Sequence, residues 1–300
     1  EESARRAAPA CAALARRVRA GEVRLRPLPE EHAEQPQVRE FALALCQELY
    51  GEALSTDGFR VRLRLGRADL PAGVACRALH LARPLLREAE ALEVHAEGSG
   101  VADEDVAALG AEIPASLARL EVNLAGNALG DNCAAVLAKA LPSGLQTLEL
   151  GLNSTAIGDA GLAALAAALP WGLESLELVL YNTRVADDGL KALAANMPIR
   201  LLRFSAGLSK TDVGDRGLAL LACHLPATLG ALRIDLAGSR ITDRGALALL
   251  ERLPDLPQLQ KFESGISGTG ASEETRERLR QAASLRPGVA RPLHVTAPLR

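Results

Sequence analysis

Aspartate recurs every 28 residues through the middle of this 300-residue chain, and that period leaves few folds open. The residues are Asp103, Asp131, Asp159, Asp187, Asp215 and Asp243. Two residues before each stands Val101, Leu129, Ile157, Val185, Val213 or Ile241, and eleven residues after it Pro114, Pro142, Pro170, Pro198, Pro226 or Pro254. A tandem period of this length means a solenoid, in which each unit buries its apolar faces against its neighbours.

Each unit carries two periodicities. Ahead of the aspartate, apolar residues alternate, as in Leu120, Val122, Leu124 and in Leu148, Leu150, Leu152. Period two marks a strand with one buried face. Behind the aspartate the spacing changes to three and four, as in Leu162, Leu165, Leu169 and in Leu190, Leu193, Met197, which is one face of a helix. Aspartate is a favoured N-cap, so each is expected to cap its own helix, and the proline to mark where that helix ends. Strands repeated with a helical crossover must run parallel. Helices are about 10 Å wide and strands about 4.8 Å apart, so the stack must curve with strands inside and helices outside.

The run Val122-x-Leu124-x-x-Asn127-x-Leu129-Gly130-Asp131 resembles the leucine-rich repeat pattern LxLxxNxLxD. The 28-residue length and helical second half are similar to the ribonuclease-inhibitor-like class of that family. The resemblance covers residues 92–253 and implies an α/β horseshoe with parallel strands on the concave face and helices on the convex face. The family's asparagine stands only at Asn127, and its column elsewhere holds Ser99, Thr155, Thr183, Thr211 and Ser239. A hydroxyl can supply part of the asparagine's bonding, because it both donates and accepts.

The expected organisation is an N-terminal cap with degenerate repeats over 1–90, regular repeats over 91–257, and a C-terminal cap and tail over 258–300. Within the first segment, helices are predicted over 3–20, 37–53 and about 74–90. Strands are predicted over 23–28 and 59–65, the latter with Val61, Leu63 and Leu65 on one face. The Arg- and Ala-rich opening reads as a capping helix, with a faint likeness to an organelle transit peptide. Near the other end, a strand is predicted at 258–263, a turn at 264–270 and a polar helix at 272–285.

No phosphate-binding loop, HExxH motif or nucleophile triad stands out, so an enzyme finds no support, and no cofactor is implied. The five cysteines form no CxxC pair, and the five histidines are scattered, so no metal site is suggested. Cys11, Cys46, Cys76, Cys133 and Cys223 read as mostly buried thiols, which suits a reducing compartment, cytoplasm or organelle interior. No apolar run is long enough to span a membrane. A formal net charge of −3 argues against a general nucleic-acid binder.

The informative residues lie between the buried leucines, on the strands' outward face. One column holds Glu93, Glu121, Glu149, Glu177, Ser205 and Arg233, and the next His95, Asn123, Gly151, Val179, Gly207 and Asp235. Net charge is +2 over 1–90, −8 over 91–270 and +3 over 271–300. This acidic band is the candidate binding face, formed by Glu121, Asn123, Glu149, Glu177, Tyr181, Arg233 and Asp235, and the partner it implies is a protein with a basic surface. The leading expectation is a non-enzymatic protein-binding or scaffold protein within a larger assembly. The resemblance also implies an alternative, a regulator of an enzyme such as an inhibitor or GTPase activator, with Arg184 and Arg240 placed to act. A second alternative is an accessory subunit of an organellar complex.

Overall fold

The computed structural model describes residues 11–17, 44–45, 48, 54–57, 60–64, 86 and 89–284. Among these residues nine strands form one open sheet in sequence order. They are β1 (Leu54–Asp57), β2 (Arg60–Arg64), β3 (Ala91–His95), β4 (Arg119–Asn123), β5 (Thr147–Gly151), β6 (Ser175–Val179), β7 (Arg203–Gly207), β8 (Ala231–Asp235) and β9 (Lys261–Gly265). β1 and β2 pair antiparallel, and every later neighbour is parallel. Helices follow the strands as α1 (Asp103–Glu112), α2 (Asp131–Ala140), α3 (Asp159–Ala167), α4 (Asp187–Ala195), α5 (Asp215–His224), α6 (Asp243–Arg252) and α7 (Glu273–Ser284). Strand and helix alternate in the right-handed, unclosed stack of a curved solenoid, with strands concave and helices convex.

Inward strand residues and the apolar helix face meet in one continuous core. Leu120, Val122 and Leu124 are 0% exposed, as are Leu162, Leu190 and Leu218. Each such leucine contributes about 1.5–3 kcal/mol relative to an exposed one. Volume is balanced within units: Phe204 is followed inward by Ala206, and Phe262 by Ser264, where other strands carry two aliphatic residues of similar size.

The aspartates do not cap their own helices. Each is the first residue inside its helix, and the N-cap positions are Ala102, Gly130, Gly158, Ala186, Gly214 and Thr242. The carboxylate instead reaches forward to the next unit. Asp131 Oδ1 accepts from Gly158 N at 2.7 Å and Gly161 N at 3.0 Å. Asp159 takes Ala186 N and Asp187 takes Gly214 N, both at 2.7 Å. Asp215 takes Thr242 N at 2.8 Å and Gly245 N at 3.0 Å, and Asp243 takes Ser272 N at 2.7 Å. The physical reason is stacking: adjacent helix N-termini lie side by side, so a carboxylate at the first helical position sits over the neighbour's orphan N–H groups. A Cβ on Gly161, Gly189, Gly217 or Gly245 would fall 2.5–2.6 Å from that carboxylate, so these glycines hold the ladder's footholds. At α1, Asp103 accepts from the Asn132 side-chain amide of the next unit at 2.8 Å, and it is Asp105 that accepts from Ala102 N, at 3.0 Å.

In the asparagine column the threonines behave as the hydroxyl argument requires and the serines do not. Asn127 donates to Leu124 O in its own unit and to Ala96 O in the previous one, both at 2.8 Å, and accepts from Val101 N at 3.0 Å. Thr155, Thr183 and Thr211 keep only the internal bond, to Leu152 O, Leu180 O and Leu208 O at 2.6 Å. The buried Ser239 hydroxyl has no hydrogen-bond partner.

Strands begin one residue before the positions the leucines mark, at Ala91, Arg119, Thr147, Ser175, Arg203 and Ala231. The last strand differs from expectation. β9 runs over Lys261–Gly265, not 258–263, and so takes Ser264 and Gly265 out of the expected turn. The cause is a step of 30 residues between β8 and β9, with Leu253–Asp255 forming a short 3-10 turn that absorbs the extra length. Of the N-terminal expectations, residues 11–17 are helical and β2 falls where the strand at 59–65 was placed, with Val61 and Leu63 buried. The strand expected at 23–28 lies outside the described residues.

Candidate protein-binding face

Sheet register places the acidic column in one row. Glu93, Glu121, Glu149 and Glu177 are direct neighbours on β3 to β6, followed by Ser205, Arg233 and Glu263 on β7 to β9. Adjacent members are about 4.8 Å apart along the backbone. Asn123 and Asp235 stand in the next outward column on the same face. Tyr181 lies just beyond the end of β6, half-buried, with its carbonyl accepting from Ser154 N at 3.0 Å.

The row is graded from paired to unpaired. Glu93 is only 5% exposed and is clamped by Arg62 and by Arg60 at 3.3 Å. Burial opposes its charge, but Arg62, Arg60 and Arg119 outweigh it and hold the carboxyl below the ordinary glutamate range. Arg119 pairs with Glu149 at 2.6 Å and Glu121 at 3.5 Å, and His95 Nε2 lies 3.8 Å from Glu121. Even so, burial pushes Glu149 up, with Glu121 and Glu93 adding to it against Arg119. At the far end Lys261 and Arg233 pair with Glu263 at 2.9 and 3.5 Å.

Glu177 sits between these neutralised ends. Among the described residues no cation lies within ion-pair distance of it. Burial and the adjacent Glu149 push its carboxyl up to about 7, with Arg233 acting weakly in the other direction. Next to it the face is hollowed, because in the columns that carry Glu177 and Val179 β7 presents only Ser205 and Gly207, with Arg203 two residues ahead of them on the same face. A Cβ on Gly207 would make only ordinary van der Waals contact, with Val179 Cγ1 nearest at 3.7 Å, so the position would take a side chain without strain. By contrast Gly151 has no such room, since a Cβ would come within 2.6 Å of Asn123 Oδ1. Asn123 is itself engaged, donating to Glu97 at 2.6 Å, and Asp235 accepts from Ala237 N at 3.1 Å.

A third outward column, with Arg119, Arg203 and Lys261, stands two residues ahead of the acidic one. Strand alternation already placed it on this face. Its effect on the glutamates depends on side-chain reach across strands, which spacing does not reveal. Of the arginines singled out in the corner loops, Arg240 pairs with Asp212 at 2.7 Å, and Arg184 is exposed.

Among the described residues no cluster of His, Cys, Asp and Glu could hold a metal ion, and no helix is long and apolar enough to cross a membrane. Cys11 and Cys133 are buried, and burial pushes the Cys133 thiol up to about 12, whereas Cys223 is exposed. Cys46 and Cys76 lie outside the described residues.

Residues 145–166 match the family model described as Leucine Rich repeat. Parallel strands, helical crossovers and a 28-residue unit around that match give the chain the fold of a leucine-rich repeat solenoid. Its units are similar in length and in their helical second half to those of the ribonuclease-inhibitor-like class. Among solved structures, the leucine-rich repeat-containing protein LegL7 from Legionella pneumophila is 15% identical, with a TM-score of 0.36, over 62% of this chain and 60% of that one. An internalin from Listeria monocytogenes is 17% identical, with a TM-score of 0.37, over 68% of this chain and 47% of its own. The yeast Rad7 and Elc1 complex gives 13% identity and a TM-score of 0.36 over 92% and 86%. This chain spans less than two thirds of the length of the Legionella and Listeria proteins. No curated protein matches it.

Proposed function

We propose that this chain is a non-enzymatic protein-binding scaffold whose concave face receives a basic surface of a partner protein. The observation that supports this most directly is Glu177, a half-buried carboxylate in a row of carboxylates whose other members have cations beside them. Like charges in register on neighbouring strands repel one another, and the row costs free energy in the isolated chain. A lysine or arginine from a partner, entering the hollow over Ser205 and Gly207, would relieve that cost and complete the pairing. Glu121 and Glu149 flank the hollow on one side and Arg233 and Asp235 on the other, so the face also rejects a uniformly basic or acidic surface.

The test is charge reversal at Glu121, Glu149 and Glu177 together, in the natively expressed protein, with partners quantified by cross-linking and mass spectrometry. The expected result is loss of a basic partner that the unaltered chain retains, with binding to the unaltered chain weakening as salt rises. An unchanged partner set with unchanged salt dependence, from a variant with native circular dichroism, overturns the reading.

A further inference from the structure

The convex-to-concave turns at one rim of the solenoid carry a feature that adjoins the acidic face only at Arg203, the first residue of β7. Three large hydrophobic residues are conspicuously exposed among the described residues: Trp171 at 78%, Ile199 at 67% and Leu202 at 44%. They lie together. Trp171 and Ile199 each follow the unit's proline, one unit apart, so they occupy equivalent turn positions in adjacent repeats. Leu202 comes just before β7, and its N–H donates to Glu174 O at 2.8 Å, which ties it to the turn that carries Trp171.

The patch is bounded. The same turn position holds Ser143 in the preceding repeat and Ala227 in the following one. The position of Leu202 is Gln146 and Gly230 in the repeats beyond the pair. Repeat stacking therefore does not require bulk here, and two adjacent units alone supply it. The exposed apolar area is on the order of a few hundred Å², in the range of the largest patch on a typical monomer.

Its charge is equally particular. Arg200 and Arg203 are both exposed, and neither has a carboxylate partner among the described residues. Arg203 has only the Ser175 hydroxyl, at 3.4 Å. Against them stands exposed Glu174, whose backbone carbonyl accepts from Leu202 N at 2.8 Å and Arg203 N at 3.0 Å, so the rim carries two arginines to one glutamate in a stretch of chain whose net charge is −8. Tryptophan and arginine are the residue types that dominate binding energy at protein interfaces.

We propose that Trp171, Ile199, Leu202, Arg200 and Arg203 form a second interaction surface, which takes an acidic amphipathic segment of a partner protein. Apolar side chains of that segment would cover Trp171 and Ile199, and its carboxylates would pair with Arg200 and Arg203 in bidentate geometry. Two branched aliphatic residues beside one indole favour a peptide over nucleic acid, since Ile199 and Leu202 offer no surface on which bases stack. The proposal does not rest on the concave-face reading. Together the two surfaces would hold one basic and one acidic partner on the same solenoid.

Trp171 is the chain's single tryptophan, so its fluorescence reports on this patch alone. The full chain is titrated with a synthetic helical peptide carrying a leucine stripe flanked by glutamates. Parallel titrations use the same stripe flanked by lysines and a single-stranded oligonucleotide. The expected result is a saturable blue shift with the acidic peptide, weakened by salt, and at least about tenfold weaker affinity in Arg200→Glu/Arg203→Glu and in Ile199→Ser. Because these side chains are exposed, the variants should keep native circular dichroism. No blue shift with the acidic peptide, equal binding of the lysine peptide, or tighter binding of the oligonucleotide would each overturn the proposal. So would a concentration-dependent dimer that Trp171→Ala abolishes, which would assign the patch to a second copy of this chain.

Discussion

Gly161 lies three residues into α3, where replacement by alanine would ordinarily stabilise a helix by about 1 kcal/mol. In this protein the sign should reverse. A Cβ at Gly161 would stand 2.6 Å from Asp131 Oδ1, 3.1 Å from Asp131 Cα and 3.1 Å from Ala134 Cβ. The carboxylate must move away, and with it go the bonds to Gly158 N at 2.7 Å and Gly161 N at 3.0 Å. Each is a charge-assisted bond at a helix N-terminus in a partly buried setting, worth about 1–1.5 kcal/mol. Losing both costs about 2–3 kcal/mol, and the alanine's helix preference returns about 1. Gly161→Ala should therefore destabilise by about 1–2 kcal/mol, and Asp131→Ala by about 2–3. In the double variant there is no carboxylate left to displace, so the alanine's gain is partly recovered. The total should fall short of the sum of the singles by about 2 kcal/mol. Urea denaturation followed by circular dichroism measures all three. Additive effects, or a stabilising Gly161→Ala, would refute the forward-reaching aspartate as the reason for glycine at this position.

Three further outcomes follow from the same geometry. Glu177 titrates near 7 in the fold against an ordinary 4.5, so the unfolded chain loses this proton first. Stability should thus fall as pH rises between those values, and Glu177→Gln should remove that slope, gaining up to about 2–3 kcal/mol above pH 7 and nothing below about pH 4. A gain equal at both ends of the range would be evidence against it. Lys210 occupies a turn position with φ 56°, shared with Gly126, Gly238 and Gly268, so Lys210→Gly should raise the denaturation midpoint by the equivalent of about 0.5–1 kcal/mol; a lower midpoint would contradict the strain argument. Asn127→Thr should cost about 1–3 kcal/mol, because the bonds to Ala96 O and Val101 N cross between units and a threonine keeps only the internal one; thermal unfolding that is unchanged would show those groups find other partners.

Much of the architecture was legible because a solenoid repeats its evidence. Leu148, Leu150 and Leu152 alone would suit many strands, but the same alternation at a fixed step fixes parallel direction, order and outward face together. The outward placement of Glu121, Asn123, Glu149, Glu177, Arg233 and Asp235 follows from that alternation, without reference to any contact. The rim patch was legible in part, since Trp171 and Ile199 share one position in the period. Their exposure was not, because apolar residues in a turn are as readily tucked under it.

What only the tertiary structure decided is what each polar group reaches. The aspartate's period is visible in the sequence, yet its partner is the N-terminus of the following helix, because side-by-side stacking brings that terminus within 2.7 Å. The four glutamates look alike in the sequence. Long arginine side chains on β2 and β4 neutralise Glu93, Glu121 and Glu149, and none reaches Glu177. Periodicity determines which way a side chain points, since that depends on backbone geometry alone. Which charges pair depends on rotamers, side-chain reach and burial across several strands, and those exist only once the chain has folded.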